Sequence, residues 1–219
     1  GIVVHPDGYL RQVRELCDRF GVFLVADEVA TGFGRTGTMF ACEQEGVSPD
    51  LMCLAKGITG GYLPLAATLA TEEIYEGFLG SYEEFKTFFH GHTYTGNPLA
   101  CAAALANLDV FEQERTIERL QPKIALFEEL LAEVAAMPEV AEVRQKGVMV
   151  GIDLGDHDAA LRMGHRVTVA ARERGAFIRP LGNTVVLMPP LSISEDELRE
   201  LVAICSESIR AAVAQPVAA

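Results

Sequence analysis

Two short, unbroken apolar runs dominate the pattern along the chain: Val22-Phe23-Leu24-Val25-Ala26 and Leu51-Met52-Cys53-Leu54-Ala55. Runs of that length, rich in strand formers and without alternation, predict strands buried on both faces of a parallel sheet. Ahead of the first run, Tyr9 to Phe20 repeats apolar residues at helical spacing. Leu10, Val13, Leu16, Cys17 and Phe20 share one face, and Gly21 closes the helix. A helix leading into a buried strand is the repeating unit of a doubly wound α/β sheet. Another strand is predicted over Leu63 to Ala70, with Pro64 at its start, where a missing N–H does least harm. Thr71 then caps a short helix that opens on Glu72 and Glu73.

Asn97 and Pro98 read as the cap and first residue of an alanine-rich helix over 99–111. A second helix is predicted over 114–136, with Pro122 as a possible point of bending. Beyond Pro138 the pattern becomes that of a small α+β module. Strands are predicted over 140–143, 148–154, 176–179 and 184–188, and a helix over 159–174. Ser194 opens the last helix, with Glu197 at the capping-box position, and the tail from Gln215 is expected to fray. The chain thus divides by pattern into residues 1–115 and a C-terminal α+β domain over 116–219.

Composition narrows the classes. A chain of 219 residues that is 49% hydrophobic supports a sizeable core. It has no apolar run of membrane-spanning length and no visible signal peptide. It begins with Gly1 rather than Met, and Ile2-Val3-Val4 already reads as part of a strand or its exit, so the start is expected to be cut from a longer chain, or processed. A net charge of −13 with no basic stripe argues against nucleic acid and anionic membrane as partners. The five cysteines form no C-x-x-C pair. Cys53 in a strand and Cys101 in a helix read as small buried hydrophobes of a reducing, cytoplasmic compartment.

The chemistry gathers where the apolar runs end. The first runs into Asp27-Glu28 and the second into Lys56. In open α/β sheets ligands occupy the crevice beyond the carboxyl ends of the strands. A lone buried charge costs several kcal/mol, so each of these groups needs a partner. Either Asp27 and Lys56 pair with each other, or a cofactor lies between them. Pyridoxal phosphate requires a lysine amine and an acid facing its pyridinium nitrogen. Spacing alone leaves both readings open.

Other motifs carry less. Gly-Phe-Gly-Arg-Thr-Gly over 32–37 matches the dinucleotide fingerprint, but five residues separate it from the strand and Gly46 and Pro49 leave little room for a helix. It reads as a close-packed loop whose Arg35 holds a carboxylate or makes a surface salt bridge. His90 and His92 alternate without a third ligand nearby, so no metal site is expected. The hydroxyls before Asn97 suit a phosphate at a helix N-terminus or ordinary capping. Arg179, ending the Ala-Phe-Ile run, suits bidentate carboxylate recognition or a structural ion pair.

Together these segments resemble the class III (omega) aminotransferases, pyridoxal-phosphate enzymes of fold type I. The resemblance is carried by Asp27-Glu28-Val29-Ala30-Thr31-Gly32-Phe33-Gly34-Arg35-Thr36-Gly37, by Leu54-Ala55-Lys56-Gly57 and by Gly96-Asn97-Pro98-Leu99-Ala100. Within the class, Met39-Phe40-Ala41-Cys42-Glu43, Thr59-Gly60-Gly61-Tyr62-Leu63-Pro64 and Phe88 to Asn97 look most like the branch that aminates 8-amino-7-oxononanoate in biotin synthesis. The resemblance covers the whole chain but only about the C-terminal half of such an enzyme. It implies an α/β fold, with residues 1–115 as part of the cofactor-binding large domain and 116–219 as the small domain.

It also implies that Lys56 is the Schiff-base lysine and Asp27 the pyridinium partner. Thr93 would reach the cofactor phosphate of the neighbouring subunit in a homodimer. Arg179 would bind the substrate carboxylate, with Gly91 also at the substrate. The amino donor in such enzymes is S-adenosylmethionine or lysine. Val186, where the classical pattern has a tyrosine, and the Gly-Tyr-Leu-Pro and Phe-Phe-His-Gly-His wording lean towards lysine. The competing readings are another omega-aminotransferase, acting on a diamine, an ω-amino acid or a β-amino acid, and a half-chain inactive without an N-terminal part.

Overall fold

Helix α1 (Tyr9–Phe20) forms where the apolar spacing predicts it, and Gly21 ends it in the left-handed conformation. Its connection to the first strand is fixed by Asp50 in the computed structural model, which describes residues 1–214. The Asp50 carboxylate accepts from the Leu24 N–H at 2.6 Å and from the Arg14 guanidinium at 2.7 Å. The same two contacts, the backbone amide first, hold its pKa below the ordinary carboxylate value. The expected fraying from Gln215 lies outside the described residues.

The chain folds as two units. One comprises Pro6–Gly34 and Thr38–Ile117; the other comprises Gly1–His5, Arg35–Gly37 and the chain from Glu118 onward.

The first unit is built on strands β1 (Val25–Asp27), β2 (Leu51–Leu54) and β3 (Ala67–Ala70). They lie in the order β1-β2-β3, with β1 parallel to β2 and β3 antiparallel to it. The predicted strands shorten: β1 begins at Val25 and β3 at Ala67, so Pro64 falls outside the ladder. One expectation fails. Val22, Phe23 and Val25 are 54%, 61% and 56% exposed, so the first run is not buried on both faces. β1 is an edge strand here: Leu24 is buried and Ala26 partly so on one face, while Val25 stands exposed on the other. A hydrophobic run reports what a strand is able to bury, while burial itself depends on what packs against it.

Helix α2 (Glu72–Glu76) opens on two acids, but Thr71 makes no side-chain cap bond. Helix α3 (Pro98–Gln113) begins as predicted. The Asn97 side chain accepts from the N–H groups of Leu99 at 3.0 Å and Ala100 at 3.2 Å.

The second unit is an antiparallel sheet of β4 (Glu142–Lys146), β5 (Met149–Asp153), β7 (Thr184–Leu187) and β6 (Arg179–Leu181), in that spatial order. Helices α4 (Thr116–Ala135), α5 (Met163–Glu173) and α6 (Glu195–Ala214) contribute to its core. Phe127, Leu131 and Val134 of α4 meet Val150 and Ile152 of β5, Val167 of α5, and Leu198 and Ile209 of α6 in one apolar cluster. The α6 capping box is present: Ser194 N–H donates to the Glu197 carboxylate at 2.8 Å, and Glu197 N–H donates to the Ser194 hydroxyl at 3.2 Å.

Three predicted boundaries in this unit are wrong. The strand expected over 140–143 is displaced to β4, Glu142–Lys146. The helix expected over 159–174 breaks at Arg162, whose φ is 48°, into a 3-10 turn and α5. The start of α5 is crowded: a Cβ at Gly164 would stand 2.2 Å from the Gly182 carbonyl oxygen. Arg179 was expected to end a strand over 176–179; instead it begins β6, paired with Val186 across the hairpin. Among the described residues no helix is long and apolar enough to cross a membrane.

Candidate active site

Asp27 is the last residue of β1, and its backbone lies opposite Cys53 of β2. The ladder runs one bond further, with Glu28 N–H donating to the Cys53 carbonyl at 3.0 Å. Lys56 follows three positions after Cys53 and opens a 3-10 turn, Lys56–Thr59. The acid and the amine therefore emerge at the same carboxyl edge of two hydrogen-bonded parallel strands. Both are exposed. Among the described residues they form no ion pair, with each other or with any other group. The direct Asp27–Lys56 pairing open on sequence grounds is thus not what the fold makes. Asp27 is held by its own turn, its Oδ1 accepting from the Val29 N–H at 3.0 Å.

Glu28 turns the other way, as strand alternation requires. It is 2% exposed. Its Oε1 accepts from the Cys42 N–H at 2.9 Å, and its Oε2 accepts from the Thr31 hydroxyl. This buried carboxylate ties the turn behind Asp27 to the 3-10 turn at Ala41–Glu45. Sequence reading treated Asp27-Glu28 as one charge pair at the edge; strand parity is the signal that would have separated them.

Burial, and after it the Glu28 carboxylate, pushes the Cys42 thiol up from 9.0 to about 12. Burial alone does the same to Cys205 on α6. These two are the buried cysteines; Cys53 and Cys101, expected inside, are only half-buried. A thiol whose folded pKa is raised favours the native state fully below the unfolded value of 9.0, and that contribution disappears as pH climbs from 9.0 to about 12. The urea midpoint is expected to fall progressively over this window. In C42A the fall should be shallower; an identical slope in that variant would show that Cys42 does not contribute.

Among the described residues Arg35 holds no carboxylate. Its Nη1 donates to the Pro189 carbonyl oxygen at 2.6 Å, and burial holds its pKa below the ordinary value.

Thr93 and Gly91 lie in the exposed segment before α3. That segment is shaped by local bonds: His92 N–H donates to the Thr95 hydroxyl at 3.2 Å, and Tyr94 N–H donates to His92 Nδ1 at 3.2 Å. The α3 N-terminus is capped by Asn97, so its first amides already have an acceptor.

Arg179 stands in the second unit. It is exposed and, among the described residues, forms no ion pair. It lines a groove of about 540 Å³ with Phe177, Val186, Met188 and Pro189, and with the acids Glu197 and Glu200. Val186, the position that leaned towards a lysine donor, is its cross-strand neighbour.

A residue overlooked in the sequence also reaches this edge. Asn107, on the alanine-rich α3, donates from Nδ2 to the carbonyls of Gly57 at 2.9 Å and Ile58 at 3.3 Å. The available signal was one amide among alanines.

The family model "Aminotransferase class-III" matches residues 1–209. The adenosylmethionine-8-amino-7-oxononanoate aminotransferase of Nitratidesulfovibrio vulgaris is 64% identical over 209 residues, covering 92% of this chain and 39% of the relative. The protein of the same name from Aquifex aeolicus is 56% identical, covering 92% of this chain and 46% of the relative. Among solved structures, that of adenosylmethionine-8-amino-7-oxononanoate aminotransferase from Methanocaldococcus jannaschii aligns with a TM-score of 0.94 at 48% identity, covering 96% of this chain and 51% of that one. A PLP-bound amine transaminase from an uncultivated Pseudomonas species aligns with a TM-score of 0.89 at 41% identity, covering 96% and 49%. The chain spans about half the length of the relatives it matches.

Proposed function

This chain belongs to the class III aminotransferases, and from that membership we propose that it carries the lysine and the acid of a pyridoxal-phosphate enzyme that converts 8-amino-7-oxononanoate into 7,8-diaminononanoate in biotin synthesis. The observation that carries the reading is an amine and a carboxylate at one carboxyl edge of β1 and β2 that form no ion pair among the described residues. Their chemistry fits the cofactor: an amine able to bond its aldehyde carbon and an acid able to face its ring nitrogen. Residues 1–115 are assigned to the cofactor-binding large domain and 116–219 to the small domain.

When bound, the cofactor supplies an electron sink for the α-carbon of the amino donor. Everything else falls to side chains. Lys56 would hold the cofactor through its side-chain amine and, when that amine is free, would move the proton at the donor's α-carbon. Asp27, as an anion, keeps the ring nitrogen protonated. Thr93 binds the phosphate of the neighbouring subunit's cofactor, which makes the working unit a homodimer. Arg179 takes the keto-acid carboxylate, and Gly91 leaves backbone room beside the substrate. The setting is cytoplasmic.

The names of the relatives favour S-adenosylmethionine as donor; Val186 is the observation that favours lysine. Single-turnover conversion of the bound cofactor to its amine form with each donor separates them. Amination of 8-amino-7-oxononanoate with neither donor, but turnover of a diamine or a β-amino acid, would replace this reading with another omega-aminotransferase. For Arg179, R179A is expected to raise KM for the keto acid on the order of 10–100-fold with a smaller loss in kcat, since the contact is made in ground and transition state alike. An unchanged KM would remove Arg179 from the site.

A further inference from the structure

Lys56 occupies an unusual backbone conformation for a residue that is not glycine. Its φ is 47°, in the left-handed region, while Ala55 before it is fully extended. A non-glycine residue there is strained and persists only where its surroundings over-determine it. Two contacts do so. Nδ2 of Asn107 bridges the carbonyls of Gly57 and Ile58, the two residues that follow Lys56. On another side, Gly57 is pressed against Phe33: a Cβ at Gly57 would stand 2.8 Å from the Phe33 Cβ. Phe33 is 4% exposed and is itself held between Phe40 and Phe111, with ring centroids at 5.6 and 6.4 Å. Asn107 and Phe111 are four residues apart on α3, so one helix face supports both sides of the turn. The turn's own bonds, Ile58 N–H to Ala55 O at 3.2 Å and Gly60 N–H to Gly57 O at 3.1 Å, complete it.

From this arrangement we infer that Asn107 is a positioning residue for Lys56: by clamping the Gly57 and Ile58 carbonyls it holds the lysine in its strained backbone conformation before any ligand binds. The inference rests on the assignment of Lys56 as the cofactor-bearing amine. The strain is thus met during folding rather than when the amine reacts, the general advantage of preorganisation. Asn107 touches neither cofactor nor substrate in this scheme; it acts through the turn.

The test uses the native polypeptide with N107L, which removes the donor, and N107D, which replaces it with an isosteric acceptor. Both are expected to retain pyridoxal phosphate about tenfold more weakly, the scale of one lost hydrogen bond. The pH at which the visible absorbance of the lysine-bound cofactor titrates should also shift. Parent-like affinity and titration in both variants overturn the inference. So does a lowered unfolding midpoint with parent-like affinity in the folded fraction, because Asn107 would then serve stability alone. If neither variant folds, hydrogen exchange on the unmutated protein without cofactor decides: protected Ile58 and Gly60 amides support the clamp, and exchange as fast as in residues 88–92 overturns it. K56A separates the two levels. A visible band that survives K56A sinks the lysine assignment, whereas a band lost in K56A but unperturbed in both Asn107 variants sinks only the clamp.

Discussion

Replacing Lys56 with alanine is expected to abolish turnover and, with it, the visible absorbance of lysine-bound cofactor. The loss in kcat should be on the order of 10⁴-fold or more, because in the proposed reading one amine both tethers the cofactor and moves the proton. Within the three residues that follow each of β1 and β2, Lys56 is the only lysine or arginine. Borohydride reduction followed by peptide mapping provides the direct check: the label should fall on the peptide containing Lys56 and on no other. Labelling elsewhere, or an intact visible band in K56A, would end the assignment. Because Lys56 is exposed and forms no ion pair among the described residues, its removal should leave the unfolding midpoint close to that of the parent. A surface substitution of this kind is ordinarily within about 0.5 kcal/mol.

The second large effect is expected at Asp27, and here the choice of substitution matters. Asp27 has two functions in the structure: its Oδ1 accepts the Val29 N–H at 3.0 Å, and its charge stands at the strand edge. D27N keeps the acceptor and removes only the charge. Loss of an anion facing the ring nitrogen should lower kcat roughly 10²–10⁴-fold, the range of a displaced protonation state at a catalytic centre. Cofactor should still be tethered through Lys56. D27A removes both functions and is expected to lower the unfolding midpoint as well, as the turn behind β1 loses its acceptor. If D27N retained parent-like turnover, the carboxylate would be a turn residue and nothing more. Rescue by D27E is expected to be partial, since the longer side chain restores charge but not the two-residue turn.

Much of this site was legible as a line of residues. Strands that end in a charge announce a sheet edge with chemistry on it, and the period-2 geometry of a strand makes Asp27 outward once Glu28 is inward. The caps at Gly21, Asn97 and Ser194 were readable because each depends on one or two adjacent residues. Local rules determine local structure. What failed was governed by contacts distant in sequence. The break at Arg162 lies beside the close approach of Gly164 to Gly182, a contact eighteen positions along the chain and invisible to helical periodicity. Arg35 found the Pro189 carbonyl 154 residues away rather than a carboxylate nearby. Val22, Phe23 and Val25 read as buried because their side chains are apolar, yet their exposure depends on the layers the fold places over them.

Gly147 makes the same point at a turn. Its φ of 60° and the 2.4 Å that a Cβ would leave to the Thr36 backbone restrict the position to glycine, but only the folded chain reveals that Thr36 is there.

By itself the sequence determined the order of helices and strands, the two charged groups at the ends of apolar runs, and the family resemblance, because each is written in residues that are neighbours or regularly spaced. Only the tertiary structure decided that Asp27 and Lys56 stand at one edge with no ion pair among the described residues, that Glu28 turns inward to Cys42 and Thr31, and that Asn107 reaches across from α3 to the turn at Lys56. Those relations depend on strand register and helix placement. Both are set by packing across the whole unit; strand parity puts Asp27 and Glu28 on opposite faces but does not say which of them turns inward.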